Sequence, residues 1–66
     1  MKLVITLHAQ ERMDFHGVSE EQVKVATQRG AKTPQTDGFL IRYTYLNVAY
    51  KITGELYIIK TVFIER

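Results

Sequence analysis

From Phe39 to Glu65 the chain carries strand-type residues in three stretches, "FLIRYTYL", "VAYKIT" and "LYIIKTVFIE". Their apolar positions recur every second residue, the period of a strand and not of a helix. β-Branched and aromatic side chains dominate them, as a pleated surface prefers. Gly54-Glu55 suits a two-residue turn with glycine first. Between the first two stretches the expected turn is Leu46-Asn47, because Asn47 tolerates a positive φ. Two such turns set the register, and register sets the faces. Arg42 is then expected opposite Lys51, Tyr43 opposite Tyr50, Lys51 opposite Ile58 and Ala49 opposite Lys60. One face collects Phe39, Ile41, Tyr43, Tyr45, Val48, Tyr50, Ile52, Tyr57, Ile59 and Phe63, and reads as the core. The other collects Arg42, Thr44, Lys51, Thr53 and Lys60, together with Leu40, Leu56, Ile58, Val62 and Ile64. Arg42, Lys51 and Lys60 are expected to converge there. Charges on an exposed sheet need no further reason, but cations mixed with large aliphatics usually meet a partner.

The first half supplies what covers the core. "KLVITL" alternates Leu3, Ile5 and Leu7 with Lys2, Val4 and Thr6, and reads as a strand. A helix is expected over residues 7 to 16, ended by Gly17. A second helix starts from Ser19, whose side chain and that of Gln22 form a capping box. Val18 and Val23 fit a hydrophobic staple around that cap. Glu20 and Glu21 sit where the helix dipole favours negative charge, and Gly30 marks the stop. "AKTPQTDG" reads as a loop, with Pro34 and Asp37-Gly38 as its turn signals. The expected fold is α+β, in the order βααβββ. A two-helix hairpin packs on one face of a four-stranded, mainly antiparallel sheet, in a single domain spanning residues 1–66.

Composition narrows the function classes. A 66-residue chain buries only about 60% of the surface it exposes when unfolded. It contains no cysteine, so neither disulfides nor a zinc ribbon can staple it. That fits a cytoplasmic location. No apolar run approaches the roughly 20 residues of a membrane span, and "KLVITL" is too short for a signal-peptide core. The net charge of +2 admits an anionic partner. After Phe39 the bases are Arg42, Lys51, Lys60 and Arg66, against Glu55 and Glu65.

His8, Arg12 and His16 recur every four residues along the first helix and form one ridge. His8 and His16 are about 12 Å apart along the axis, too far to share a metal whose bonds are near 2 Å. Neither a metal nor a cofactor is expected. His8 and Arg12 have two readings. They form an anion contact near the helix N-terminus, with His8 as acid or base near neutral pH. Or His8 bonds local backbone and Arg12 pairs with an acid such as Glu11 or Asp14.

"HAQERMDFHGVSEEQV" resembles the signature of the small bacterial and archaeal family named domain of unknown function 4258. The matching positions are His8, Ala9, Arg12, Met13, Gly17, Val18, Ser19 and Val23, with a short "TVF" at Thr61 to Phe63. That family is similar in layout to the RelE/ParE toxins, some of which cleave mRNA on the ribosome. The resemblance implies a RelE/ParE-like toxin or toxin-derived protein that binds RNA or acts as an endonuclease. His8 or a tyrosine would transfer protons; Arg12, Arg42, Lys51 and Lys60 would hold RNA or another anion. Its implied partners are RNA or the ribosome and a cognate antitoxin. The chain departs from potent toxins in having only Arg66 as a basic tail. Fold does not carry function by itself. A non-catalytic module that docks a protein through the open sheet face, or a homodimer using that face, therefore stays open beside the ribonuclease.

Overall fold

The computed structural model describes residues 2–65; Met1 and Arg66, the tail base, lie outside the described residues. Seven elements follow one another: β1 (Lys2–Ile5), α1 (Leu7–His16), α2 (Glu20–Arg29), β2 (Ala31–Gln35), β3 (Gly38–Tyr43), β4 (Leu46–Thr53) and β5 (Leu56–Ile64). The strands make one sheet in the order β1-β5-β4-β3-β2. β1 runs parallel to β5, and the other three pairings are antiparallel.

The α+β class stands, but the four-stranded, mainly antiparallel βααβββ layout does not. The sheet is mixed and has five strands, because residues 31 to 35 form β2 rather than a loop. Every residue of β2 is exposed, so it carries no hydrophobic alternation to read. Proline is tolerated there because β2 is an edge strand.

Both helices begin on a side chain that satisfies open backbone donors. Thr6 caps α1: its hydroxyl oxygen accepts from the Ala9 amide at 3.2 Å, and the hydroxyl donates to the Ile59 carbonyl at 2.8 Å. One residue thus starts the helix and ties it to β5. Gly17 ends α1 with φ of 70°. At α2 the expected capping box is complete. The Gln22 amide donates to the Ser19 hydroxyl at 3.2 Å, and the Ser19 amide donates to the Gln22 side chain at 2.8 Å. α1 lies over β5 and α2 over β3 and β4.

The core sits between the helices and one sheet face. Ala9, Met13, Val18, Val23 and Ala26 meet Ile41, Leu46, Val48, Tyr50, Ile59 and Val62. Phe39, Tyr50 and Tyr57 stack across three strands, with centroids 5.6 and 5.4 Å apart. The buried Tyr50 hydroxyl has no partner among the described residues.

Two details correct the expected register. The β3–β4 turn is Thr44-Tyr45, not Leu46-Asn47, and Tyr43 pairs with Leu46. Thr44 takes φ of 57°, the conformation that Gly54 supplies in the next turn with φ of 61°. A β-branched residue rarely goes there, so residue type pointed to the wrong turn. Arg42 therefore faces Asn47, and Phe39 faces Tyr50. The β4–β5 hairpin follows the expected pairing from Thr53↔Leu56 to Tyr50↔Ile59. A bulge then makes Thr61, not Lys60, the partner of Ala49. One extra residue reverses every later side chain. Val62 is consequently buried and Ile64 packs on the core, whereas Phe63 is exposed, the reverse of the expected assignment. Tyr45 and Ile52 are exposed as well, not core.

Candidate functional site

Paired residues share a side of the sheet, so the open face can be written as rows. Ala31, Arg42, Asn47 and Phe63 form one row; Thr33, Leu40, Ala49 and Thr61 the next. Beyond the bulge come Lys51, Ile58 and Val4, then Thr53, Leu56 and Lys2. No helix covers this side. Leu40, Leu56 and Ile58 are half-buried, and Val4 and Phe63 are exposed. Lys2, Arg42 and Lys51 lie in these rows; the one acid to reach them is Glu65, whose carboxylate accepts from Asn47 Nδ2 at 3.4 Å at the end of the face.

The three expected cations do not form one cluster. Arg42 faces Asn47, four residues from Lys51, so the two rows lie about 13 Å apart along the strand. Lys60 is the bulge residue, and its ammonium is already used. It donates to the Asp37 carbonyl in the β2–β3 turn and lies 3.8 Å from the Asp37 carboxylate. Arg42 and Lys51 make no ion pair among the described residues.

His8 and Arg12 belong to the other side of the sheet. α1 buries Ala9 and Met13 toward β5, leaving His8 exposed near the helix start. The Arg12 guanidinium turns toward the helix end, away from His8. Its Nη2 is 3.4 Å from His16 Nε2, and its Cζ lies 4.9 Å from the Phe15 ring centroid. The sheet separates these two residues from Arg42, Lys51 and Lys60. Among the described residues no group of three histidines or acids could hold a metal ion, and no helix is long and apolar enough to cross a membrane.

A second surface was not legible as a site. Phe15 on α1 and Tyr45 in the β3–β4 turn are 75% and 56% exposed. They flank two adjoining hollows that share Tyr45 and Ile64. The better defined one, about 240 Å³, lies between the start of α2 and the β3–β4 turn. Phe15 could have been found in the sequence. It follows Met13 by two residues, about 200° around the helix, and so points away from the Ala9–Met13 stripe.

Compared with protein-family models, curated proteins and solved structures, the chain matches none.

Proposed function

We propose that this protein acts by binding, as a toxin-derived module of the kind its His8–Val23 block resembles. Its open sheet face takes an acidic, amphipathic segment of a partner protein, as an antitoxin-type partner would supply. One observation carries the reading: Val4, Leu40, Leu56, Ile58 and Phe63 share a helix-free face with Lys2, Arg42 and Lys51, against one acid, Glu65, held at its edge by Asn47. Apolar area supplies affinity, and the cations select the sign of the partner. The same sign disfavours a second copy, since two such faces would repel. Cleavage of RNA would need a proton donor beside the bound phosphate, and His8 lies across the sheet from the cations.

A second reading, RNA held without cleavage, is favoured by Arg42 and Lys51, which make no ion pair among the described residues. Salt separates the two, because phosphate contacts weaken steeply as salt rises. The test is an NMR titration with an amphipathic peptide of leucine and glutamate, then with a single-stranded RNA oligonucleotide. Shifts at Leu40, Lys51, Ile58 and Phe63 with the peptide, and intact RNA, are expected. Tighter, strongly salt-dependent RNA binding at these residues would move the function to the second reading. RNA cleavage that His8→Gln abolishes would overturn both.

A further inference from the structure

We infer a separate docking site for a basic side chain of a partner peptide, at the end of the molecule where α2 begins. Its occupant is an arginine carried between apolar neighbours. The hollow there is lined by Val18, Val25, Tyr43, Tyr45 and Ile64, with Glu21 as its one charged residue. At about 240 Å³ it falls below the 300–1,000 Å³ or so of sites for drug-sized ligands. It opens into the hollow beside Phe15 and His16, so a chain can lie along it with one side chain inserted.

Charge decides the occupant. The start of a helix carries roughly half a positive charge, which alone would favour an anion. Here Glu20 and Glu21 occupy the first turn of α2, and two full negative charges outweigh that half. Glu65 does not join them, since its carboxylate accepts from Asn47 Nδ2 at 3.4 Å on the open side of the sheet. The aromatic walls act in the same direction, because ring faces attract cations, guanidinium above all. The molecule already uses this chemistry next door, where the Arg12 guanidinium sits 4.9 Å from the Phe15 centroid. An acidic occupant would be repelled, and a purely apolar one would leave the Glu21 carboxylate without a partner.

The site is independent of the open sheet face and calls for a partner of opposite sign. The probe is acetyl-Leu-Arg-Leu-amide, titrated into the whole protein and followed by NMR. Its control carries citrulline in place of arginine, which keeps the shape and removes the charge. Shifts are expected at Val18, Tyr43, Tyr45 and Ile64, with citrulline about tenfold weaker. Glu21→Gln should weaken the arginine peptide at least about threefold and erase most of the preference over citrulline. Both substituted positions, Glu21 and Tyr45, are exposed, so Tyr45→Ser gives a second folded variant with reduced binding. Equal affinity for the two peptides, no binding of either, or shifts at Leu40, Ile58 and Phe63 instead would overturn the proposal. Failure here leaves the Leu/Glu peptide result untouched, since that titration reads different residues.

Discussion

At the scale of single residues, the histidine that drew attention in the sequence is not the one tying the structure together. Thr6 caps α1 and bonds to β5, while His8 beside it is exposed. His8→Gln should leave the denaturation midpoint within about 0.5 kcal/mol of the parent, as surface changes do. Thr6→Ala should cost about 1 kcal/mol or more, the usual effect of losing an N-cap. A large loss from His8→Gln would restore it to a structural role. Thr44 holds φ of 57°, a conformation that costs a side chain of its kind roughly 1–2 kcal/mol. Asparagine adopts it more readily, so Thr44→Asn should raise the thermal midpoint, whereas Thr44→Val should lower it. A lower midpoint for the asparagine variant would mean that the turn carries no strain. Tyr50 presents the opposite situation, with a buried hydroxyl that has no partner among the described residues. Leaving such a group unpaired costs about 1–3 kcal/mol, so Tyr50→Phe should be more stable by about 1 kcal/mol. Destabilisation on that change, measured by urea unfolding, would reveal a bond that the hydroxyl makes in solution.

At the scale of elements, the helices were readable and the sheet only partly so. The capping box at Ser19 and Gln22 is a local signal, and it names the start of α2 directly. The α1 limits follow from Gly17 in the same way. β2 could not be read because an edge strand with both faces exposed has no alternation to show. The bulge could not be read either. Nothing in "YIIKTVFI" distinguishes a regular strand from one carrying an extra residue at Lys60. That single residue decides whether Val62 and Ile64 or Phe63 faces the helices. Its removal and its truncation should both leave the later pairs in place. Lys60→Ala, on a partly exposed side chain, should change stability by about 1 kcal/mol or less. Deleting Lys60 makes Tyr50↔Ile59 and Ala49↔Thr61 consecutive pairs, so Val62 should keep facing the helices and the ladder should close without the bulge. A much lower unfolding midpoint for the deletion than for Lys60→Ala would mean that the added twist of the bulge is itself needed to seat the strand end. The candidate site depends on the same registers. Arg42 and Lys51 were assigned to the correct face because the turn was misplaced by an even number of positions. Their separation along the strand was not, because it depends on which turn is used.

At the scale of the whole molecule, charge and protection are both distributed unevenly. Lys2, Arg42 and Lys51 lie on the open face, while Glu20 and Glu21 lie at the start of α2 on the opposite side. The sheet ends in two short edges, β1 with Lys2 and β2 with Lys32 and Pro34. Charged and proline-bearing edges resist pairing with other chains. The interior strands β4 and β5 hold most of the buried side chains of the sheet. Their amides should exchange with solvent only through global unfolding, and those of β2 through local opening. Uniform protection across all five strands would show a single cooperative unit instead. The parallel pairing of β1 with β5 has a consequence for how the chain is made. β1 is synthesised before the other described elements, and its only neighbour in the sheet is the last of them. During translation Leu3 and Ile5 have no strand to bond until residues 56 to 59 have left the ribosome. Such long-range closure slows folding and leaves apolar surface exposed in the interval. A nascent chain halted before Leu56 therefore carries its helices and the three-stranded meander β2–β3–β4 over a core still open along one side.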